Sequence, residues 1–518
     1  MSSVKILDCT LRDGGYYTNW DFDEQLVKDY YQAMENLPVD YVEIGYRSIP
    51  MDSYLGKFFY CPEYVMQEAK KAMPSKKLAI ILNEKDVELS DVDYLIEPCK
   101  GYIDLIRIAV NPSNFERAVK LAAYLKKYEF QVAFNVMYMS SWNENKAFLQ
   151  SLPLVNGVVD YFYMVDSFGG VLPTQVVETT NMLKSSLKIT FGFHGHNNLE
   201  LGLINSITAM EEGCELIDST ITGMGRGAGN LKTELILTYL SSRGNLEKFS
   251  FSELSKVVDS FEELQKYHQW GTNLPYMISG ANSLPQKDVM NWISKRRYSV
   301  TGIVNALQNR KEKISDNLNV PDFKPTSTYK KALIIGGGKT SLSHLEAVQR
   351  ALENPKYRND TCIIHASTRY AKEYNNLNVS QYYCLVGNEG HRPKSAFDSL
   401  DFFEHKCILP PYPREMGTYI PEAIKSHTVQ LKSVSISDLY QDSPLTVALQ
   451  TALELRSSEV VFIGFDGYDI DINPTQVQLS QENQYVLNNA IEKFEDTQFW
   501  TPTKYNNIPK RSVYSLLG

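Results

Sequence analysis

Three short stretches of this 518-residue chain carry side chains whose types and spacing suit chemistry. In the first, Ile6–Trp20, an apolar run (Val4, Ile6, Leu7) breaks off into Asp8-Cys9-Thr10 and then Arg12-Asp13-Gly14-Gly15. This reads as a buried strand delivering an arginine and a carboxylate onto a glycine-loosened loop. In the second, His194 and His196 close the apolar run that begins at Lys188. On a strand, that spacing puts both imidazoles on one face. The third is Gly223-Met224-Gly225-Arg226-Gly227-Ala228-Gly229-Asn230. A carboxylate, two imidazoles and an amide, each at the end of an apolar run, are the parts of one cation site without a thiolate. Such donors favour Mn²⁺ first, with Mg²⁺, Co²⁺ or Zn²⁺ as alternatives, over an iron–sulfur or structural zinc site. A lone histidine is more often a hydrogen-bonded core residue, but two in register among only eight shift the balance toward ligands. Arg-Asp-Gly alone is usually a turn with a surface ion pair. At the end of a first strand, Asp13 can bind a metal, and Arg12 can hold the oxygen that gains charge as a C–C bond breaks to an enolate.

The elements that must position these residues alternate. Apolar strand runs recur at Tyr41–Tyr46, Lys77–Leu82, Ile103–Val110, Gln131–Tyr138, Tyr161–Ser167, Lys188–His194 and Glu215–Ile221, with helical spacing between them. With the opening strand they make eight strands in about 220 residues, the usual size for a (β/α)8 TIM barrel. A doubly wound sheet would show fewer strands and a glycine-rich first turn. In a barrel, chemistry gathers at the C-terminal strand ends. Those ends hold Arg12 with Asp13, Glu43 with Arg47, Asn83, Arg107, Asn135 with Tyr138, Asp166 with Ser167, and His194 with His196. Of these, Glu43, Arg47, Arg107, Asn135, Asp166 and Ser167 are the candidate substrate contacts, a ring suited to an anionic substrate and a divalent cation.

The barrel is expected over residues 1–240, followed by a helical extension over 241–315 that the polar, aromatic stretch Tyr267–Ala281 interrupts. Residues 316–328, with two prolines and no periodicity, read as a linker. Residues 329–518 read as a second, smaller α/β domain opening on Lys331–Ile335. There Gly336-Gly337-Gly338-Lys339-Thr340 is either a tight strand-to-helix turn or a turn that takes a nucleotide or sugar phosphate. It lacks the first glycine of a P-loop, since Leu333 stands there. Gly464-Phe465-Asp466 ends a late strand that could line the same crevice.

Composition narrows the partners. A net charge of −9 leaves no basic footprint, so nucleic acid is not expected. Seven widely spaced cysteines without Cys-x-x-Cys suit reduced thiols in a cytoplasm. No leader and no apolar run of about 18 residues is visible, so no membrane partner is expected. Homo-oligomerisation is left open.

DCTLRDGG, FHGHNN and GMGRGAGN together resemble the DRE-TIM metallolyase superfamily over residues 4–240, with 4-hydroxy-2-oxovalerate aldolases the nearest branch. The resemblance implies that Asp13, His194, His196 and Asn230 bind the metal and that Arg12 stabilises an enolate. It implies small-molecule substrates, a 2-oxo acid and an aldehyde. The chain also departs from each branch. Gly15-Tyr16 replaces the Glu-Gln of acyl-CoA synthases, and the glycine loop lacks the cysteine of 3-hydroxy-3-methylglutaryl-CoA lyases. Tyr16 stands where the aldolases carry a general-base histidine, so Tyr16 and a metal-bound water are the competing acid/base candidates. An acyl-CoA condensing enzyme and a non-catalytic scaffold are the alternative readings. The second domain is faintly similar to glycosyltransferase-like or pterin-pyrophosphokinase-like domains.

Overall fold

The computed structural model describes residues 4–246, 248–296, 298–314, 316–387, 406–418, 420, 422–468 and 474–517. Eight parallel strands close into a barrel in sequence order: β1 (Lys5–Asp8), β2 (Tyr41–Tyr46), β3 (Lys77–Asn83), β4 (Leu105–Val110), β5 (Gln131–Val136), β6 (Tyr161–Asp166), β7 (Thr190–Gly195) and β8 (Leu216–Ser219). The seam is β8 against β1, with Ile6 opposite Ile217 and Asp8 opposite Ser219. Alternation along each strand explains the near-continuous apolar runs. Ile6, Val42, Ile80 and Ile106 face the helices, while Leu7, Tyr41, Ala79, Leu105 and Ala133 fill the interior. Higher in the interior, apolar packing gives way to buried Glu43, Arg107 and Asp218.

Two segments differ from the sequence expectation. The predicted loop after β1 is instead a helix, Thr10–Thr18. Its glycines serve close packing rather than looseness. A Cβ on Gly14 would lie 2.5 Å from Met224 Sδ, and one on Gly15 would run into the Trp20 indole. The Tyr267–Ala281 stretch contains a helix, Leu274–Ala281, with Pro275 in its first turn and Asn273 Oδ1 accepting from the Tyr276 N–H. This helix docks on the barrel mouth, where Asn198 Nδ2 donates to the Tyr276 carbonyl at 2.9 Å.

The chain divides into two compact units, Met1–Met290 and Asn291–Gly518, and the division falls inside the helix Gln286–Ser294. In the second unit, β9 (Lys331–Ile335), β10 (Thr361–His365), β11 (Ser380–Cys384), β12 (Lys406–Leu409), β13 (Thr428–Gln430), β14 (Glu459–Ile463) and β15 (Asp496–Phe499) form one parallel sheet ordered β13-β12-β11-β10-β9-β14-β15. Both faces are covered. Ala332 and Ile334 pack in the core that holds Leu445 and Ala448, and Leu333 and Ile335 in the one that holds Val348 and Ala351. Among the described residues, no helix is long and apolar enough to cross a membrane.

Candidate metal centre

Residues from the helix Thr10–Thr18 that follows β1, from the end of β7 and from the loop after β8 meet at the barrel mouth. The ligand atoms of Asp13, His194 and His196 lie within 4.8 Å of one another, and all three residues are buried. The two imidazoles stand 4.9 Å apart at 74°. His196 Nδ1 donates to the Asp166 carbonyl at 2.7 Å, and a carbonyl can only accept, so Nε2 keeps its lone pair. His194 Nδ1 lies 2.8 Å from Asp218 Oδ2, which fixes that ring in the same sense. Burial, then the neighbouring His194, pushes the His196 pKa down to about 3, so its ring is neutral at working pH. Burial alone would raise the Asp13 pKa, but Arg12 and the two imidazoles outweigh it and hold the carboxyl well below its ordinary range. Asn230 Nδ2 donates to Asp13 Oδ2, while its Oδ1 is buried with no hydrogen-bond partner among the described residues. Two imidazole lone pairs, an ionised carboxylate and an orphaned amide oxygen suit a hard or borderline divalent cation.

Beneath the cluster runs a closed circuit of alternating charge. Arg12 donates through Nη1 to Asp13 and through Nε to Glu43 Oε2 at 2.6 Å. Arg107 Nη1 lies 3.2 Å from that same Glu43 oxygen, and Arg107 Nη2 donates to Asp218. Asp218 returns the circuit to His194. Burial works against the charge on Arg12, yet Asp13 and Glu43 hold it protonated. Each buried charge has a partner of opposite sign, without which burial would be prohibitive. Above the circuit opens a cavity of about 590 Å³, lined by Arg12, Asp13, His194 and His196 on one side.

Comparison with known proteins gives this arrangement a family. The HMGL-like family model matches residues 3–260. The N-terminal domain of a candidate aldolase from Bacteroides vulgatus is 50% identical; the match covers 58% of this chain and all of that one, with a TM-score of 0.55. The chain belongs to the HMGL-like family. Its curated HMGL-like relatives include a 4-hydroxy-2-oxovalerate aldolase from Bacillus cereus, 28% identical over 50% of this chain and 75% of the relative. An oxaloacetate decarboxylase from Mycobacterium tuberculosis is 25% identical over 49% of this chain and 74% of the relative.

The remaining residues singled out from sequence take several places in this HMGL-like barrel. Tyr16 lines the cavity, its hydroxyl 3.3 Å from that of Tyr46 and its ring 5.5 Å from the Arg226 guanidinium. Asn135 and Ser167 also line it. Glu43 and Arg107 lie beneath, in the charge circuit. The Asp166 carboxylate turns away to accept from the Val171 and Gly170 N–H groups, and burial raises its pKa to about 6 against those bonds. Arg47 is spent on main-chain carbonyls of Leu95, Tyr60 and Cys61. In the second unit, Gly336 and Gly338 donate to the Ile463 and Gly464 carbonyls. The Thr340 N–H and hydroxyl are both taken by the Asp466 carboxylate, while Lys339 is exposed. The Asp466 carboxylate thus occupies two of the donors of this turn.

Sequence reasoning misses Asp218 and Gln286, and it names Arg226 only as part of the glycine loop. Asp218 had a signal, a carboxylate inside the apolar run Glu215–Ile221. Gln286 had none, because it reaches the cavity only through the docking of the extension, with Nε2 donating to the Ser167 carbonyl and Asn198 Oδ1.

Proposed function

We propose that this barrel makes or breaks a C–C bond between the enolate of a pyruvate-like 2-oxo acid and an aldehyde, with a divalent cation as cofactor. The observation that carries the reading is the convergence of Asp13, His194 and His196 beside Arg12 on one wall of a 590 Å³ cavity. Asp13, His194, His196 and the Asn230 amide oxygen hold the cation, Mn²⁺ first among the candidates, with Mg²⁺, Co²⁺ and Zn²⁺ as alternatives. When bound, it supplies Lewis acidity to the oxygens of the 2-oxo acid. Arg12 is fixed by Asp13 and Glu43, so its remaining N–H donors are preorganised for the oxygen that gains charge. In the addition direction, a methyl C–H bond of pyruvate breaks and its proton passes to a base. The methyl carbon then bonds to the aldehyde carbon, and the aldehyde oxygen takes a proton. Cleavage is the reverse. The Tyr16 hydroxyl, which lines the cavity and meets that of Tyr46, is the side chain assigned to hold or return that last proton, with a water on the cation as the competing group.

A second reading is decarboxylation of a 3-carboxylated 2-oxo acid, which leaves the same enolate. Tyr16 in place of the aldolase histidine favours it, because loss of CO₂ requires no deprotonation of a hydroxyl. Both readings are tested by incubating the full chain with pyruvate and Mn²⁺ in D₂O and following the methyl protons by NMR. Exchange that a chelator abolishes is expected. Methyl protons that persist with metal present would sink both.

A further inference from the structure

We infer that the acceptor aldehyde is a polyhydroxylated chain ending in an anion, rather than a short apolar aldehyde; this rests on the lyase reading above. The cation ligands come from the β7–β8–β1 arc of the barrel, whereas the β3–β5 arc across from it carries Asn83, Lys85, Asn111, Asn114 and Asn135, all lining the same cavity. Each of the four asparagines spends one half of its amide inside the protein. Asn135 Oδ1 accepts from Arg107 Nε at 2.9 Å, and Asn111 Oδ1 accepts from the Ser113 N–H at 3.0 Å. Asn83 Nδ2 donates to Asp86 at 2.7 Å, and Asn114 Nδ2 donates to Glu84 at 3.2 Å. The anchored halves fix the amides. The other halves, two NH₂ donors (Asn135, Asn111) and two carbonyl acceptors (Asn83, Asn114), have no partner among the described residues.

A mixed set of fixed donors and acceptors is what hydroxyl groups require, since each hydroxyl both donates and accepts. The deepest member, Asn135, is only 4% exposed, and its NH₂ opens onto the cavity, where a bound hydroxyl can meet it in place of water. An apolar aldehyde would offer none of the four halves a partner. Depth then orders the contacts: Asn135 is buried, Asn83 and Asn111 are half-buried, and Asn114 and Lys85 are exposed at the rim. Lys85 forms no salt bridge among the described residues, so it faces the far end of such a chain as an unpaired cation. The volume agrees. At ~30 Å³ per water molecule, the cavity holds about twenty, well beyond a three-carbon 2-oxo acid with a two-carbon aldehyde.

The test uses the full chain with Mn²⁺ and pyruvate, offered acetaldehyde, D-erythrose, D-erythrose 4-phosphate or D-glucuronate, with adducts read by mass spectrometry and rates by pyruvate consumption. The expected result is a kcat/KM at least about a hundredfold higher for one of the two anionic aldehydes than for acetaldehyde, the pair distinguishing a phosphate from a carboxylate terminus. Lys85→Ala is expected to raise KM for that anionic aldehyde about threefold to fivefold, the size of an exposed ion pair, relative to its effect on D-erythrose. A direct readout accompanies the rates: D-erythronate 4-phosphate binding to the protein without added metal, measured by calorimetry, should weaken in Asn111→Ala. Methyl exchange with acetaldehyde turned over as well as the sugars overturns the acceptor assignment and spares the lyase reading. Absence of methyl exchange overturns both.

Discussion

Asp218 shows how far a single buried carboxylate can reach. It holds His194 through Nδ1 and pairs with Arg107, which in turn orients Asn135 and shares Glu43 with Arg12. Asp218→Asn keeps the shape but weakens the acceptor that makes the His194 ring basic. Metal affinity is expected to fall about 10- to 100-fold, the usual cost of losing such a support. Titration of the metal-free variant with Mn²⁺ checks this, and an unchanged affinity would place Asp218 in a purely structural role. Tyr16 supplies the second prediction at this scale. Tyr16→Phe removes only the hydroxyl that meets Tyr46, so metal binding should persist and C–C cleavage should fall by about 10²–10⁴-fold, the range for losing a general acid or base. Tyr16→His should recover part of the loss, since an imidazole with pKa near ~6.5 is a competent base. A Tyr16→Phe variant with normal kcat would discard the tyrosine and leave the decarboxylase reading the stronger.

At the scale of elements, Asp8 ties together the opening of the barrel. Its carboxylate accepts from the Thr10 N–H and hydroxyl, from Tyr30 on the helix Glu24–Asn36, and from Thr233 on the helix Thr233–Ser242. Asp8→Ala would remove the acceptor of three buried hydroxyls, leaving Tyr30 without a partner among the described residues while Thr233 keeps Ser219 Oγ and Thr10 keeps the Ile221 N–H. At ~1 kcal/mol per lost bond, a loss of about 3 kcal/mol is expected in chemical denaturation. Burial raises the Asp8 pKa despite those bonds. Between the ordinary carboxylate range and that raised value, the folded state therefore binds the proton more tightly than the unfolded chain. This contribution to stability grows as pH falls across that interval and is lost as pH rises through it. Denaturation over a pH series should show the slope in the wild type and its loss in Asp8→Ala. Asp8 also marks what sequence discloses. The eight strands are legible because parallel strands covered on both faces read as apolar runs. The helix Thr10–Thr18 is not, because Gly14 and Gly15 weaken helix propensity, and the Met224 and Trp20 that require those glycines belong to tertiary packing. His194 and His196 are legible through a two-residue spacing within one strand. The circuit from Glu43 through Arg107 to Asp218 joins three strands, and no local pattern announces it.

For the whole molecule, the ligands, the charge circuit, the cavity lining and the helix Leu274–Ala281 all belong to the first compact unit, Met1–Met290. The second unit has hydrophobic cores of its own on both faces of its parallel sheet. Each has what a domain needs to fold by itself. The related N-terminal domain from Bacteroides vulgatus, wholly covered by this chain, supports an independent first unit. A fragment ending after the helix Val300–Lys311, which leaves the helix Gln286–Ser294 uncut, is therefore expected to fold, bind Mn²⁺ and exchange the methyl protons of pyruvate. Its metal affinity should lie within a few-fold of the full chain, because among the described residues no ligand or ligand support lies beyond residue 290. Calorimetric titration with Mn²⁺ and a single cooperative melting transition would bear this out. A fragment that folds but binds metal tenfold more weakly would mean that the second unit acts on the barrel, a coupling of about 1.4 kcal/mol.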